Sequence, residues 1–144
     1  METLTALPDL FRSLGDPTRL RILHALRVAE VTVGELSEVL GVAQSGISRH
    51  LAVLKAADLV VDRREGTSSF YSIPAAPSDE RASALWSALG EWLADLPEAR
   101  ADHARLTRVL AARRSHAYFQ DVAPRWDSMR AAQHGENLRD LVGR

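Results

Sequence analysis

Three observations predict a mainly α-helical fold carrying one small β-hairpin. Apolar residues recur at helical spacing, with capping signals between the runs, from Leu4 to Leu54. A single pair of short strand-forming segments flanks Glu65-Gly66-Thr67. A broad apolar stripe then returns at helical spacing from Leu85 to Leu96.

Each element follows from local chemistry. Leu4, Leu7, Phe11 and Leu14 share one helical face, and Gly15 closes that first helix. Asp16 can cap a second helix whose first position is Pro17, where a missing N–H costs nothing. Its buried stripe is Leu20, Leu23, Ala25 and Leu26, with Arg19, Arg21 and Arg27 expected mostly outside. Thr32 and Glu35 have the spacing of a capping box and open a short third helix through Leu36, Val39 and Leu40, ended by Gly41. A fourth helix runs from near Gln44 to about Ala57, with Ile47, Leu51 and Leu54 facing inward.

The outer face of the fourth helix presents Ser45, Ser48, Arg49, Ala52 and Lys55, and the helix holds no acidic residue. A short helix, a tight turn and a second helix that is polar and basic outside form a helix-turn-helix suited to a major groove. Strands are expected from Leu59 to Arg64 and from Ser68 to Ile73, with Gly66 supplying the turn. A ribbon directly after such a helix is a wing, and Arg63 and Arg64 are placed to reach a phosphate backbone or minor groove.

Pro74 and Pro77 break the pattern, and Ser78 can cap the next helix, expected from about Asp79 to Leu96. After Pro97 a further helical stretch passes through Leu106, Val109 and Leu110 to about Val122. Pro124 precedes a last short helix and a polar end. The domain division is therefore 1–97, a winged helix-turn-helix DNA-binding and dimerisation domain, and 98–144, a helical C-terminal extension.

Composition excludes several functions. The 144 residues are 46% apolar and 26% charged, an ordinary globular balance for one domain with an appendage. The absence of cysteine removes disulfides, thiolate zinc sites and cysteine nucleophiles. A net charge of −1 excludes a bulk polycation, so any DNA-binding charge must be local. No apolar run is long enough to span a bilayer, and the N-terminal stretch lacks the features of a secretory signal. A cytoplasmic location is expected. With no glycine-flanked serine, phosphate loop or His-Glu-x-x-His helix, no enzyme activity is expected.

The segments Leu14 to Leu26 (LGDPTRLRILHAL), Val33 to Val60 (VGELSEVLGVAQSGISRHLAVLKAADLV) and Asp62 to Ile73 (DRREGTSSFYSI) together resemble the ArsR/SmtB winged helix-turn-helix repressors. The resemblance covers roughly residues 5 to 97. It implies a homodimer that binds double-stranded operator DNA, paired through its first and last helices. By that analogy Leu4, Leu7, Phe11 and Leu14 meet Leu85, Trp86, Leu89 and Leu93 across a twofold axis. Three positions depart from the family pattern: Ala43 replaces a capping serine, Asp58 a glycine, and Thr67 a wing arginine. Ser45 or water is expected to replace the lost cap, and Asp58 must accept a left-handed conformation.

The DNA-reading candidates are Gln44, Ser45, Ser48 and Arg49, since Gln pairs with adenine and Arg with guanine. Lys55, Arg63 and Arg64 are the candidate phosphate contacts, and His50 reads as a packing or capping residue. For a metal, the oxygen and nitrogen donors to weigh are Asp102, His103, His116 and Asp121. Asp102 and His103 diverge by about 100° on a helix, and neither a metal nor another cofactor is expected. Residues Leu106 to Arg130 resemble the segment joining such repressors to class I methyltransferases in fused regulators, which implies an S-adenosyl compound as effector. The alternatives are the DNA-binding front of a longer fusion, or an adaptor that has lost DNA binding.

Overall fold

The computed structural model describes residues 6–74 and 80–116, apart from the side chains at positions 6, 80–83 and 86. Helix α1 spans Ala6–Leu14, α2 Pro17–Val28, α3 Val33–Leu40 and α4 Gln44–Ala56. Strands β1 (Val61–Glu65) and β2 (Ser68–Ser72) precede α5 (Glu80–Ala94), and a further helix, α6, covers 97–116. The result is a mainly helical fold with an antiparallel two-stranded wing.

Local chemistry fixes the ends. The Asp16 carboxylate accepts from the Arg19 amide at 3.1 Å and Pro17 begins α2. The capping box at α3 is complete: Thr32 Oγ1 accepts from the Glu35 amide at 3.2 Å, and Glu35 Oε1 accepts from the Thr32 amide at 2.9 Å. Gly41 ends α3 at φ +68°, and the Ser37 hydroxyl donates to the Val42 carbonyl at 2.6 Å, bracing the turn into α4. Pro97 is a helix start as well as a break. The Leu96 carbonyl accepts from the Arg100 amide at 3.1 Å, the first bond of α6.

Core and wing are joined directly. Ile22, Leu23 and Leu26 of α2 are buried with Leu36 and Val39 of α3 and Ile47, Leu51 and Leu54 of α4. Ile22 takes the core place expected for Leu20, which is half-buried. The first strand begins at Val61 rather than Leu59, because Leu59 and Val60 are buried in the corner that leads into it. The strands pair from Val61↔Ser72 to Glu65↔Ser68. Gly66 turns the hairpin at φ +62°. Val31 adds a second β pairing unforeseen from sequence: its amide donates to the Tyr71 carbonyl at 3.1 Å and its carbonyl accepts from the Tyr71 amide at 2.8 Å.

One sequence expectation needs correction: Arg21 is half-buried and not an outer residue of α2. Leu14 and Leu93, two of the residues expected at the dimer interface, are each 7% exposed in the protomer. The chain divides into units Met1–Val109 and Leu110–Arg144, so the first unit runs past the boundary expected after residue 97. The reason is visible in α6, where Ala99, Asp102 and Leu106 are buried. Leu4, the Trp86 side chain, Asp121 and the helix expected over 125–144 lie outside the described residues. Among the described residues no helix is long and apolar enough to cross a membrane.

Candidate nucleic-acid interface

The outer face of α4 is built by elimination. Ile47, Leu51 and Leu54 are buried, which leaves Gln44, Ser45, Ser48, Arg49, Ala52 and Lys55 exposed. Gln44 opens the helix and lies near Gly34 of α3: a Cβ added at Gly34 would stand 3.7 Å from Gln44 Nε2. Ala43 supplies no side-chain cap. Ser45 makes no hydrogen bond in its place among the described residues. The first-turn amides of α4 are therefore left without a side-chain acceptor, and amides of that kind suit phosphate oxygens. Arg49 forms no ion pair among the described residues.

His50 sits beside this face, half-buried. Arg19 Nη1 donates to His50 Nδ1 at 3.3 Å. The same guanidinium donates to the carbonyls of Ser13 at 2.6 Å and Arg12 at 3.1 Å, closing the end of α1. His50 is thus a packing residue that fixes α4 against α1 and α2. Partial burial pushes the Asp16 carboxyl up, but the Arg19 amide and the nearby His50 and Arg19 charges outweigh it and hold the group below its ordinary value.

The other basic candidates are partnered. Lys55 Nζ lies 2.7 Å from Asp62 Oδ1, which raises the lysine and lowers the aspartate from their ordinary values. Arg63 donates to Glu65 at 2.7 Å, pairs with Glu30 and stands 5.1 Å from the Phe70 ring. Those carboxylates push the Arg63 guanidinium further above its ordinary value. Arg64 is exposed and unpaired among the described residues. Strand alternation explains the split: adjacent residues point to opposite faces, so Arg63 joins its cross-strand partner Phe70 while Arg64 points away. Lys55 and Arg63 are thus held by carboxylates, whereas Arg49 and Arg64 form no ion pair among the described residues.

Asp102, weighed above as a metal donor, is consumed by arginines. Its side chain is 1% exposed and accepts from Arg21 Nε and Nη2, both at 2.8 Å, and from Arg105 Nη2 at 2.6 Å. Arg21 Nη2 also donates to the Leu40 carbonyl at 3.0 Å, and Arg105 Nε donates to the Val39 carbonyl. The network joins α2 and α6 to the last carbonyls of α3, just before the turn into α4. Hydrogen bonds that Arg21 donates to the Asp102 carboxylate raise its guanidinium above its ordinary value. No cluster of three metal-ligating side chains occurs among the described residues.

Residues 16–61, from the cap of α2 through α4 to the first residue of β1, match the family described as bacterial regulatory protein, arsR family. The transcriptional repressor SdpR of Bacillus subtilis is 35% identical over 65 residues, 45% of this chain and 72% of that protein. The arsenic resistance transcriptional regulator ArsR2 of Pseudomonas putida is 40% identical over 92 residues, 61% of this chain and 80% of that protein. Among solved structures, HlyU from Vibrio cholerae aligns at TM-score 0.54 and 33% identity, over 64% of this chain and 97% of that one. The homodimeric winged helix-turn-helix DNA-binding domain of a possible ArsR-family regulator from Mycobacterium bovis aligns at TM-score 0.52 and 32% identity. It covers 64% of this chain and 81% of that one.

Proposed function

This chain belongs to the arsR family of bacterial regulatory proteins, and from that premise we propose that it is a homodimeric, sequence-specific repressor released from its operator by a small effector. The observation that carries the reading is the acid-free outer face of α4, with uncapped first-turn amides and an Arg49 that is unpaired among the described residues, beside a wing whose Arg64 is likewise unpaired among them. Two copies of α4 enter successive major grooves roughly 34–36 Å apart, and the wings hold the flanking backbone. Gln44, Ser45, Ser48 and Arg49 read bases, while Lys55, Arg63 and Arg64 meet phosphates. An effector that favours a different α4 spacing lowers DNA affinity by its difference in affinity for the two states.

The test is fluorescence anisotropy on DNA from immediately upstream of the gene, with scrambled DNA and two salt concentrations as controls. Arg49→Ala is expected to weaken specific binding by at least about 1 kcal/mol, roughly fivefold, and to leave non-specific binding nearly unchanged. An unchanged specific affinity removes α4 as the reading helix and favours an adaptor. S-adenosylhomocysteine added to the same assay tests the effector implied by residues 106–130.

A further inference from the structure

A cavity of about 490 Å³ lies between the start of α2, the end of α5 and the start of α6. That volume falls in the range of small-molecule sites. Leu20, Leu93, Leu96 and Ala99 give it aliphatic walls. The charged groups of its lining are answered within the protein. Asp16 caps α2 and lies in the field of the Arg19 guanidinium. Arg21 and Arg105 share the Asp102 carboxylate, and Glu98 acts on Arg21 as well, so two guanidiniums are set against two carboxylates. His24 adds no charge: burial, with His103 and Arg27 nearby, holds its imidazole below its ordinary value, so it is neutral at pH 7. Arg27 itself is exposed and stands outside the lining. An ion of either sign that enters this space gives up hydration and meets no unanswered charge. A neutral apolar body gives up nothing of that kind and takes aliphatic surface out of water.

We propose that this cavity is the effector site, and that it takes a neutral, apolar small molecule. The proposal rests on the repressor reading above for its consequence, though not for the binding itself. Two features of the lining make the connection. Leu20 belongs to α2 and Leu93 to α5, so an occupant sets the separation of these two helices. Arg21 lines the cavity and also donates to Asp102 of α6 and to the Leu40 carbonyl at the end of α3. An occupant that moves the Arg21 side chain therefore shifts the support of the turn from which α4 begins.

The experiment compares adamantanol, adamantylammonium and adamantane carboxylate, which share one hydrocarbon cage and differ in charge. Each is titrated by calorimetry into the full chain without DNA at matched ionic strength. The alcohol is expected to bind about tenfold more tightly than either ion, or better. Leu96→Asp, at a position 45% exposed, places a carboxylate in the lining and is expected to make the ammonium the tightest binder. Leu20→Trp fills the space and is expected to weaken the alcohol by at least about tenfold. Should the tryptophan variant not fold, Leu96→Asp decides the matter alone. No binding of the alcohol, an ion bound as tightly, or an order unchanged in Leu96→Asp overturns the site. Anisotropy on the upstream DNA then separates the two claims. Saturating alcohol is expected to lower specific DNA affinity by at least about threefold, and an unchanged affinity overturns the effector role. Specific DNA binding without alcohol binding leaves the repressor and removes the cavity site. Alcohol binding without specific DNA binding leaves the site and removes the repressor.

Discussion

Asp58 stands at φ +58°, the only non-glycine residue with a positive φ among the described residues. It follows α4 in a Schellman arrangement: the Leu59 amide donates to the Leu54 carbonyl and the Asp58 amide to the Lys55 carbonyl, both at 3.0 Å. A side chain in this conformation costs roughly 1–2 kcal/mol, which glycine avoids. The extra freedom of glycine in the unfolded chain returns about 0.4–1 kcal/mol of that. Asp58→Gly is therefore expected to stabilise the protein by roughly 0.5–1 kcal/mol, seen as a higher urea midpoint at unchanged m-value. A lower midpoint would show that the Asp58 side chain contributes more than its backbone strain costs. This position was legible in the sequence because its constraint is local. The partners of Arg63 were not: Glu30 lies 33 positions away, and only folding brings the loop before α3 beside the wing.

At the scale of elements, the helices, their caps and the hairpin turn were readable because each is decided within a few residues. Thr32 with Glu35, Asp16 with Pro17, and Gly41 and Gly66 at their turns all take the roles their spacing implies. The attachment of α6 was not readable. Asp102 meets Arg21 across 81 positions, and no local pattern tells a buried carboxylate from one on a solvated helix face. The network makes a quantitative prediction. Arg21→Met leaves the buried Asp102 with Arg105 alone and is expected to cost about 3 kcal/mol. Asp102→Leu leaves two partly exposed guanidiniums and is expected to cost about 2 kcal/mol. The double variant is expected to cost less than the sum by at least about 1 kcal/mol, measured as a double-mutant cycle in urea. Strict additivity would mean that the two side chains do not hold α6 to the helix-turn-helix.

For the whole molecule, the decisive surface is the one a single protomer leaves open. The α1 stripe was read from sequence as one interface, but the structure divides it. Leu14 turns into the protomer core, while Leu7 and Phe11, four residues apart on one face, are 50% and 59% exposed. The stripe on α5 divides likewise: Leu93 is buried, Leu85 and Leu89 are half-buried, and Trp92 is 70% exposed. Periodicity marks every residue on an apolar face but does not say which neighbour, intrachain or partner, covers it. Phe11 therefore tests the dimer more cleanly than Leu14 or Leu93, because its substitution spares the protomer core. In a twofold dimer each change acts twice. Phe11→Glu then removes two phenyl contacts worth about 1.5–3 kcal/mol each and places two carboxylates at the interface. The expected outcome is a monomer by sedimentation velocity with a wild-type circular dichroism spectrum, and loss of most operator affinity, since one α4 alone reads only a half-site. Leu93→Glu is the contrast, expected to lose folded structure before it reports on association. A Phe11→Glu protein that remains dimeric and binds its operator normally would place the interface away from the exposed face of α1.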